Sequence, residues 1–423
     1  MTVLKTTLEN GLTVLLKESH IAPVASFWIW YRVGSGNEHT GITGSSHWVE
    51  HMLYKGTPNW PKGSIDHAIS RVGGVMNGAT WYDFTTYYAT MPAGKIGIEM
   101  EIEADRMTAA LFDPQDVESE RTVIISERQG AENDPLFLLG EEVMATAFRV
   151  HPYGHETLGH MCDLEGMSRD DLYHHYQTYY VPNNAIVVAV GDVSAQEMLA
   201  RIEQLFGAIP ARPLPRRVRP VEPPQQGERR VVLEGDGSTA YVTLVFHTPP
   251  PTDPDFCPLV VLDSALSGAS GMALFGGGGT NNSSRLYRAL VDTELASDVD
   301  GSLTPTVDPF VYSLTATVRS ARNPIDVEQR MWDELALLSD NSITDQELTN
   351  AIKQAKARFA YSSESATGQA FWLGWSEIFA DYDWFVAYLD RLSAVTLDDV
   401  RRVAQRYLKR SNATVGHYMP TNK

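Results

Sequence analysis

Ser168-Arg169-Asp170-Asp171-Leu172 opens a helical pattern that runs to Tyr180. The turn Pro182-Asn183-Asn184 then leads into an apolar strand pattern, Ala185 to Val190. Thr396-Leu397-Asp398-Asp399-Val400 opens the same succession, with Ser411-Asn412 and Ala413-Thr414-Val415 after it. Asp171 aligns with Asp399 and Asn184 with Asn412 at one offset, without a gap. The beginnings match as well. Leu12 to Leu16, a loop and Val24 to Val33 parallel Arg230 to Leu233, a loop and Ala240 to His247. Two separate stretches that align in the same order point to a tandem duplication of one α+β unit.

Between the halves lies Arg212 to Arg230, which carries Pro213, Pro215, Pro220, Pro223 and Pro224, many charges and little apolar content. Such a stretch is extended and does not fold alone. The expected organisation is an N-terminal domain at 1–211, a Pro-rich linker at 212–229 and a homologous C-terminal domain at 230–423 containing the glycine run Gly276 to Gly279. In the first half the patterns predict strands near 12–16, 24–33, 81–90 and 185–190. They predict helices near 44–54, 64–72, 96–110, 116–131, 137–147 and 169–180.

The 423 residues are 43% apolar and 21% charged, which excludes a disordered or fibrous chain. Lys plus Arg is 34 against 53 for Asp plus Glu, a net charge of −19 that suits neither nucleic acid nor an anionic membrane surface. Cys162 and Cys257 are too few for a disulfide framework or a four-cysteine zinc site, and they read as free thiols. No stretch reaches the roughly 18 apolar residues of a membrane span. The N-terminus lacks a basic head followed by an apolar run, so the expected compartment is the cytoplasm, or the periplasm if a signal peptide has been removed.

The sharpest local feature is His47-Trp48-Val49-Glu50-His51, with Gly44-Ser45-Ser46 before it as a prospective N-cap and Gly56 and Pro58 after it as helix stops. Four residues apart on a helix, His47 and His51 share a face and can bind one zinc ion as a preset pair. Glu50 sits beside that pair, where a carboxylate can take a proton from water. Catalytic zinc ordinarily has a third protein ligand. Glu118, Glu120, Glu127 and Glu132 are candidates, and Glu120 and Glu127, seven apart, share one helix face. One could hold metal and the other orient a histidine. Spacing does not choose between them.

His-x-x-Glu-His is the inverzincin pattern, and the chain resembles the pitrilysin/insulinase family of zinc peptidases. It is most similar to two-domain bacterial peptidases related to the mitochondrial processing peptidase. Gly44 to Thr57, Glu120-Arg121-Thr122-Val123-Ile124-Ile125-Ser126-Glu127, Asn77-Gly78-Ala79-Thr80 with Asp83, Thr85 and Tyr87, His151-Pro152-Tyr153-Gly154 and Pro182-Asn183-Asn184 carry the resemblance. It implies two α+β domains, each a mainly antiparallel sheet packed with helices on one face. It implies one Zn2+ per chain on His47, His51 and Glu127, with Glu50 as general base and Glu120 orienting the ligands. It also implies that Asn77 to Tyr87 forms an edge strand beside the metal, with Asn77, Ala79 and Thr80 meeting an extended peptide through main-chain hydrogen bonds.

The second half departs from the family. There a glycine-rich loop is followed by an arginine and, seven residues on, a tyrosine that reach the substrate. Counting from Ser283-Ser284-Arg285-Leu286-Tyr287, those positions fall at Val291 and Asp298. Valine donates no hydrogen bond, and aspartate would repel a developing oxyanion. The expectation is therefore a zinc endopeptidase on peptides or unfolded segments. Its site is completed by a related subunit that lacks the zinc motif and carries the arginine and tyrosine. The alternatives are a non-catalytic scaffold subunit and a zinc lyase acting on a small molecule.

Overall fold

The computed structural model of the chain describes residues 3–216, 220–269, 282–340 and 343–421; the glycine run Gly276–Gly279 lies outside them. The chain forms two compact units. The first comprises Met1–Gly130, His155–Pro220 and Ser363–Ile378, and the second Ala131–Gly154, Val221–Ser362 and Phe379–Lys423. The boundary at Pro220 falls within the Pro-rich stretch. Each unit also draws a segment from the other half of the sequence.

The first unit holds β1 (Leu4–Thr7), β2 (Thr13–Glu18), β3 (Val24–Tyr31), β4 (Val75–Thr80), β5 (Thr85–Pro92) and β6 (Ala185–Gly191) in the order β1-β2-β6-β3-β5-β4. Only β2 and β6 pair in parallel. Every residue of β6 is buried, as its apolar run requires of a strand covered on both faces. Along β3, Phe27, Ile29 and Tyr31 enter the main core. Trp28 and Trp30 point to the opposite face.

That opposite face is covered by the helix Ala366–Phe379. Phe371 lies 5.9 Å from Trp28 and 5.7 Å from Trp30, centroid to centroid, and Thr367 exchanges a 2.8 Å hydrogen bond with Thr90. The expectation of helices on one face thus gains an addition, because two buried tryptophans need cover. Gly374 permits the close approach: a Cβ there would sit 2.1–2.7 Å from the Trp30 indole.

The second unit holds β7 (Arg229–Gly235), β8 (Tyr241–Thr248), β9 (Ala296–Leu303), β10 (Phe310–Val318) and β11 (Ala413–Pro420) in the order β7-β11-β8-β10-β9. Only β7 and β11 are parallel. The helix Pro135–Ala147, from the first half of the sequence, packs on β11 and β7. The duplication is visible row by row. Across the first sheet Val187, Ile29, Tyr87 and Gly78 are in register, and across the second Val415, Leu244, Leu314 and Gly301. Val187 and Val415 are separated by the same offset as Asp171 and Asp399. The fold is therefore α+β, two related units with mainly antiparallel sheets packed by helices.

One expectation is corrected. Asn77 to Tyr87 is not a single edge strand but a hairpin. Trp81 N–H donates to Phe84 O at 2.8 Å and turns the chain, and the edge is β4 alone. The aromatic turn residues Trp81, Tyr82 and Phe84 favour strands by composition, which hides the turn.

Gly374→Ala is expected to destabilise the protein by about 1–3 kcal/mol, because the indole it strikes is held on several sides. Denaturant unfolding followed by tryptophan fluorescence would show it.

Candidate metal centre

The histidine motif lies on the helix Ser45–Met52. The expected cap from Gly44-Ser45-Ser46 is corrected. Gly44 has a left-handed φ of 88°, and no side chain of the stretch caps the helix. Instead Glu38 reaches in: its carboxylate accepts from Gly44 N–H at 2.8 Å, Ser46 N–H at 2.7 Å and the Ser45 hydroxyl at 3.3 Å. A negative charge at a helix N-terminus is favoured by the unpaired N–H groups and the helix dipole. Glu38 is fully buried. Burial works to raise its pKa, yet His155, 3.2 Å away, and the Ser46 N–H hold it below the ordinary carboxylate value. Asp163 pins the preceding loop through Gly41 N–H, Thr43 N–H and the Thr43 hydroxyl.

Held this way, His47 and His51 bring their Nε2 atoms to 3.2 Å from each other. Glu127, on the helix Pro114–Ala131, places Oε2 at 3.9 Å from His47 Nε2 and 3.6 Å from His51 Nε2. One ligand atom from each of the three lies within 4.8 Å of the others. Glu120, one face-repeat earlier on that helix, goes elsewhere. Its Oε1 is 2.8 Å from His51 Nδ1, and its other oxygen pairs with Lys55. A proton on Nδ1 donated to Glu120 leaves the Nε2 lone pair aimed at His47 and Glu127.

Burial, with the neighbouring His51, drives the His47 pKa down to about 3, so this imidazole is neutral. Burial also acts against protonation of His51, but the Glu120, Glu127 and Glu50 carboxylates hold its pKa above the ordinary value. Two imidazole nitrogens and a carboxylate converging on one point form a donor set that zinc accepts, and the facing lone pairs favour a cation between them. The residues therefore fit the metal. His47 Nδ1 is buried and has no hydrogen-bond partner among the described residues, unlike its counterpart on His51.

Glu50 projects from the same helix and is buried. Its Oε2 accepts from the Thr80 hydroxyl at 2.6 Å. Burial raises its pKa above the ordinary value, against the Thr80 hydrogen bond, which makes it a better base. Asn77, Ala79 and Thr80 all lie on β4, whose outer edge pairs with no described strand. Thr80 is thus turned to Glu50, and Asn77 accepts from Gly78 N–H at 3.0 Å through its own side chain. Reading the sequence missed Glu38 and Lys55. No local signal marked Glu38, because Ser45 and Ser46 offered caps of their own at that helix start.

In the second unit Val291 ends the short π-helical turn Tyr287–Val291, and Asp298 stands on the edge strand β9. Arg285 is committed to Glu347 by bonds of 3.0 and 2.8 Å, and Arg288 lies 3.6 Å from the same carboxylate. The helix Phe256–Leu266 follows β8 as the motif helix follows β3. With Asp263 at the Glu50 position, Val260 and Ser264 stand where the histidines would be, and Ser264 donates to Ala351 O at 2.9 Å. The duplicated unit has no imidazole pair there.

Glu120→Ala is expected to weaken zinc binding about 10- to 100-fold. Competition with a chelating dye would measure this, with exposed Glu118→Ala, which removes only the pair with Arg121, left unchanged. Glu38→Gln, which keeps the shape and removes the charge at the helix start, is expected to lower stability by about 1–3 kcal/mol in a thermal melt.

Comparison with known proteins gives the chain a family. The family profile described as insulinase (peptidase family M16) matches residues 13–160, and that described as peptidase M16 inactive domain matches residues 166–355. An uncharacterized zinc protease of Mycobacterium leprae is 29% identical over 98% of this chain and 91% of its own length. A probable mitochondrial-processing peptidase subunit beta of Arabidopsis thaliana is 26% identical over 95% of this chain and 76% of its own length. The crystal structure of a protease from Helicobacter pylori superposes with a TM-score of 0.92 at 27% identity, covering 99% of this chain and 100% of that one. With two profiles of one family spanning most of its length and relatives covering nearly all of it, the chain belongs to peptidase family M16, the insulinase family.

Proposed function

We propose that the chain is a zinc-dependent endopeptidase that cleaves peptides or unfolded protein segments. The observation that carries the reading is the position of Glu50. It stands beside the convergent His47, His51 and Glu127, and is hydrogen-bonded to Thr80 on an unpaired edge strand. Neither a scaffold nor a small closed pocket has a use for that combination.

In this reading His47, His51 and Glu127 hold one zinc ion, and Glu120 fixes the tautomer and aim of His51. Zinc bound there would polarise a scissile carbonyl and make a neighbouring water more acidic. Glu50 takes a proton from the attacking water on the oxygen that Thr80 leaves free and returns it to the leaving amine. An extended peptide lies along β4, Asn77 to Thr80, and pairs through main-chain groups, so its side chains are read only weakly.

A related subunit is proposed to complete the site with an arginine and a tyrosine. Val291 and Asp298 cannot serve in those roles, and Arg285 and Arg288 face Glu347. Two similar proteins are named as subunit beta of a mitochondrial-processing peptidase, which supports a two-subunit arrangement.

The deciding experiment is hydrolysis of an unstructured peptide by the zinc-loaded chain, alone and mixed with a candidate partner. Glu50→Gln is expected to abolish turnover, by at least about 100-fold, while one zinc per chain is retained by metal analysis. Activity only with the partner supports the shared site, and full activity alone removes it. No hydrolysis in any combination, with zinc bound, would overturn the peptidase reading.

A further inference from the structure

The two units share more than their strand register. Gly78 on β4 and Gly301 on β9 occupy equivalent positions in the two sheets. A Cβ built on Gly301 would meet Asp263 Oδ1 at 2.5 Å and Ser267 Oγ at 2.2 Å. One built on Gly78 would meet Glu50 Oε1 at 2.9 Å and Tyr54 Oη at 2.8 Å. In each unit a carboxylate and a hydroxyl four residues later press on the same edge-strand glycine. In the second unit they are bonded: Ser267 Oγ donates to Asp263 Oδ1 at 2.5 Å. Tyr312, at the position equivalent to Thr85, also donates to Asp263 Oδ1, at 2.8 Å, so both hydroxyls share one oxygen, whereas in the first unit Thr80, the cross-strand neighbour of Thr85, takes Glu50 Oε2.

In the first unit the last bond of this set is open. Thr80 occupies Glu50 Oε2, and Oε1 receives no hydrogen bond from a described residue. Tyr54 Oη is buried without a partner, no farther from Oε1 than the two distances to the Gly78 Cβ position allow together. A buried hydroxyl without a partner is costly, and Tyr54 Oη and Glu50 Oε1 crowd the same side of Gly78. The Arg106 guanidinium lies 5.1 Å from the centre of the Tyr54 ring and 4.5 Å from that of Tyr87, which fixes the phenol from behind.

We propose that Tyr54 is a positioning residue for Glu50, its hydroxyl donating to Oε1 directly or through one shared water, as Ser267 donates to Asp263. The inference rests on the peptidase reading. The bond holds the free oxygen of the base in a single orientation, and Gly78 is required because any side chain would displace both oxygens.

Tyr54→Phe keeps the ring on Arg106 and removes only the hydroxyl. In peptide hydrolysis its kcat is expected to fall about tenfold or more, with KM within about twofold and zinc content and melting temperature unchanged. A kcat within about twofold of the parent chain would overturn the proposal, as would a loss confined to KM or accompanied by loss of zinc. Glu50→Gln runs in parallel, because a parent chain no faster than Glu50→Gln counts against the peptidase reading instead. A crystal structure of the zinc-loaded chain then decides the matter whatever the activity. Tyr54 Oη bonded to Oε1, or to one water that also touches Oε1, upholds the assignment, and Oη bonded elsewhere overturns it.

Discussion

A buried carboxylate at the start of one short helix organises the site. Glu38 neutralises the free N–H groups of Gly44 and Ser46, is itself held by His155, and has a buried side chain. Two turns of helix between a left-handed glycine at one end and Gly56 at the other are too short to be stable alone. Their direction is set by the cap, by Asp163 behind it and by the core contacts of Trp48, Val49 and Met52. The imidazoles, the Glu50 carboxylate and the hydroxyl of Tyr54 inherit their positions from that anchoring.

Duplication gives the two halves one frame, and the first carries the histidine pair where the second has Val260 and Ser264. Apart from β1, which has no counterpart among the described strands of the second sheet, both sheets have the same order, and both seat a helical carboxylate under a glycine of the edge strand. In the first unit that carboxylate stands beside two imidazoles and a glutamate from the helix Pro114–Ala131. In the second it is enclosed by Ser267 and Tyr312, and a serine bonded to a helix carbonyl replaces the second histidine. The frame tolerates this divergence because strand register, not the His47, His51 and Glu127 cluster, holds the sheet together.

Each sheet needs cover on its second face, and each receives it from the distant half of the sequence. Trp28 and Trp30 alternate with Phe27 and Ile29, so burying one set leaves the other to be buried as well. The helix Ala366–Phe379 does this for the first unit and Pro135–Ala147 serves the second. The compact units and the halves of the sequence are consequently different divisions of the chain.

Local patterns determined much of this protein. A repeat at constant offset marked the duplication, and alternation and helical spacing located β2, β3, β6 and the long helices of the first half. An i, i+4 interval set two imidazoles on one face, because these features depend only on the geometry of a single element. Contacts between elements were beyond its reach. Glu120 and Glu127 share a face, and only the approach of their helix to His51 sends one to Nδ1 and the other toward Nε2. Glu38 meets its histidine partner across more than a hundred residues, and Gly78 matters only because two oxygens from another element reach it. Tertiary structure decided these points, since the distance between side chains on different elements follows from packing rather than from spacing along the chain.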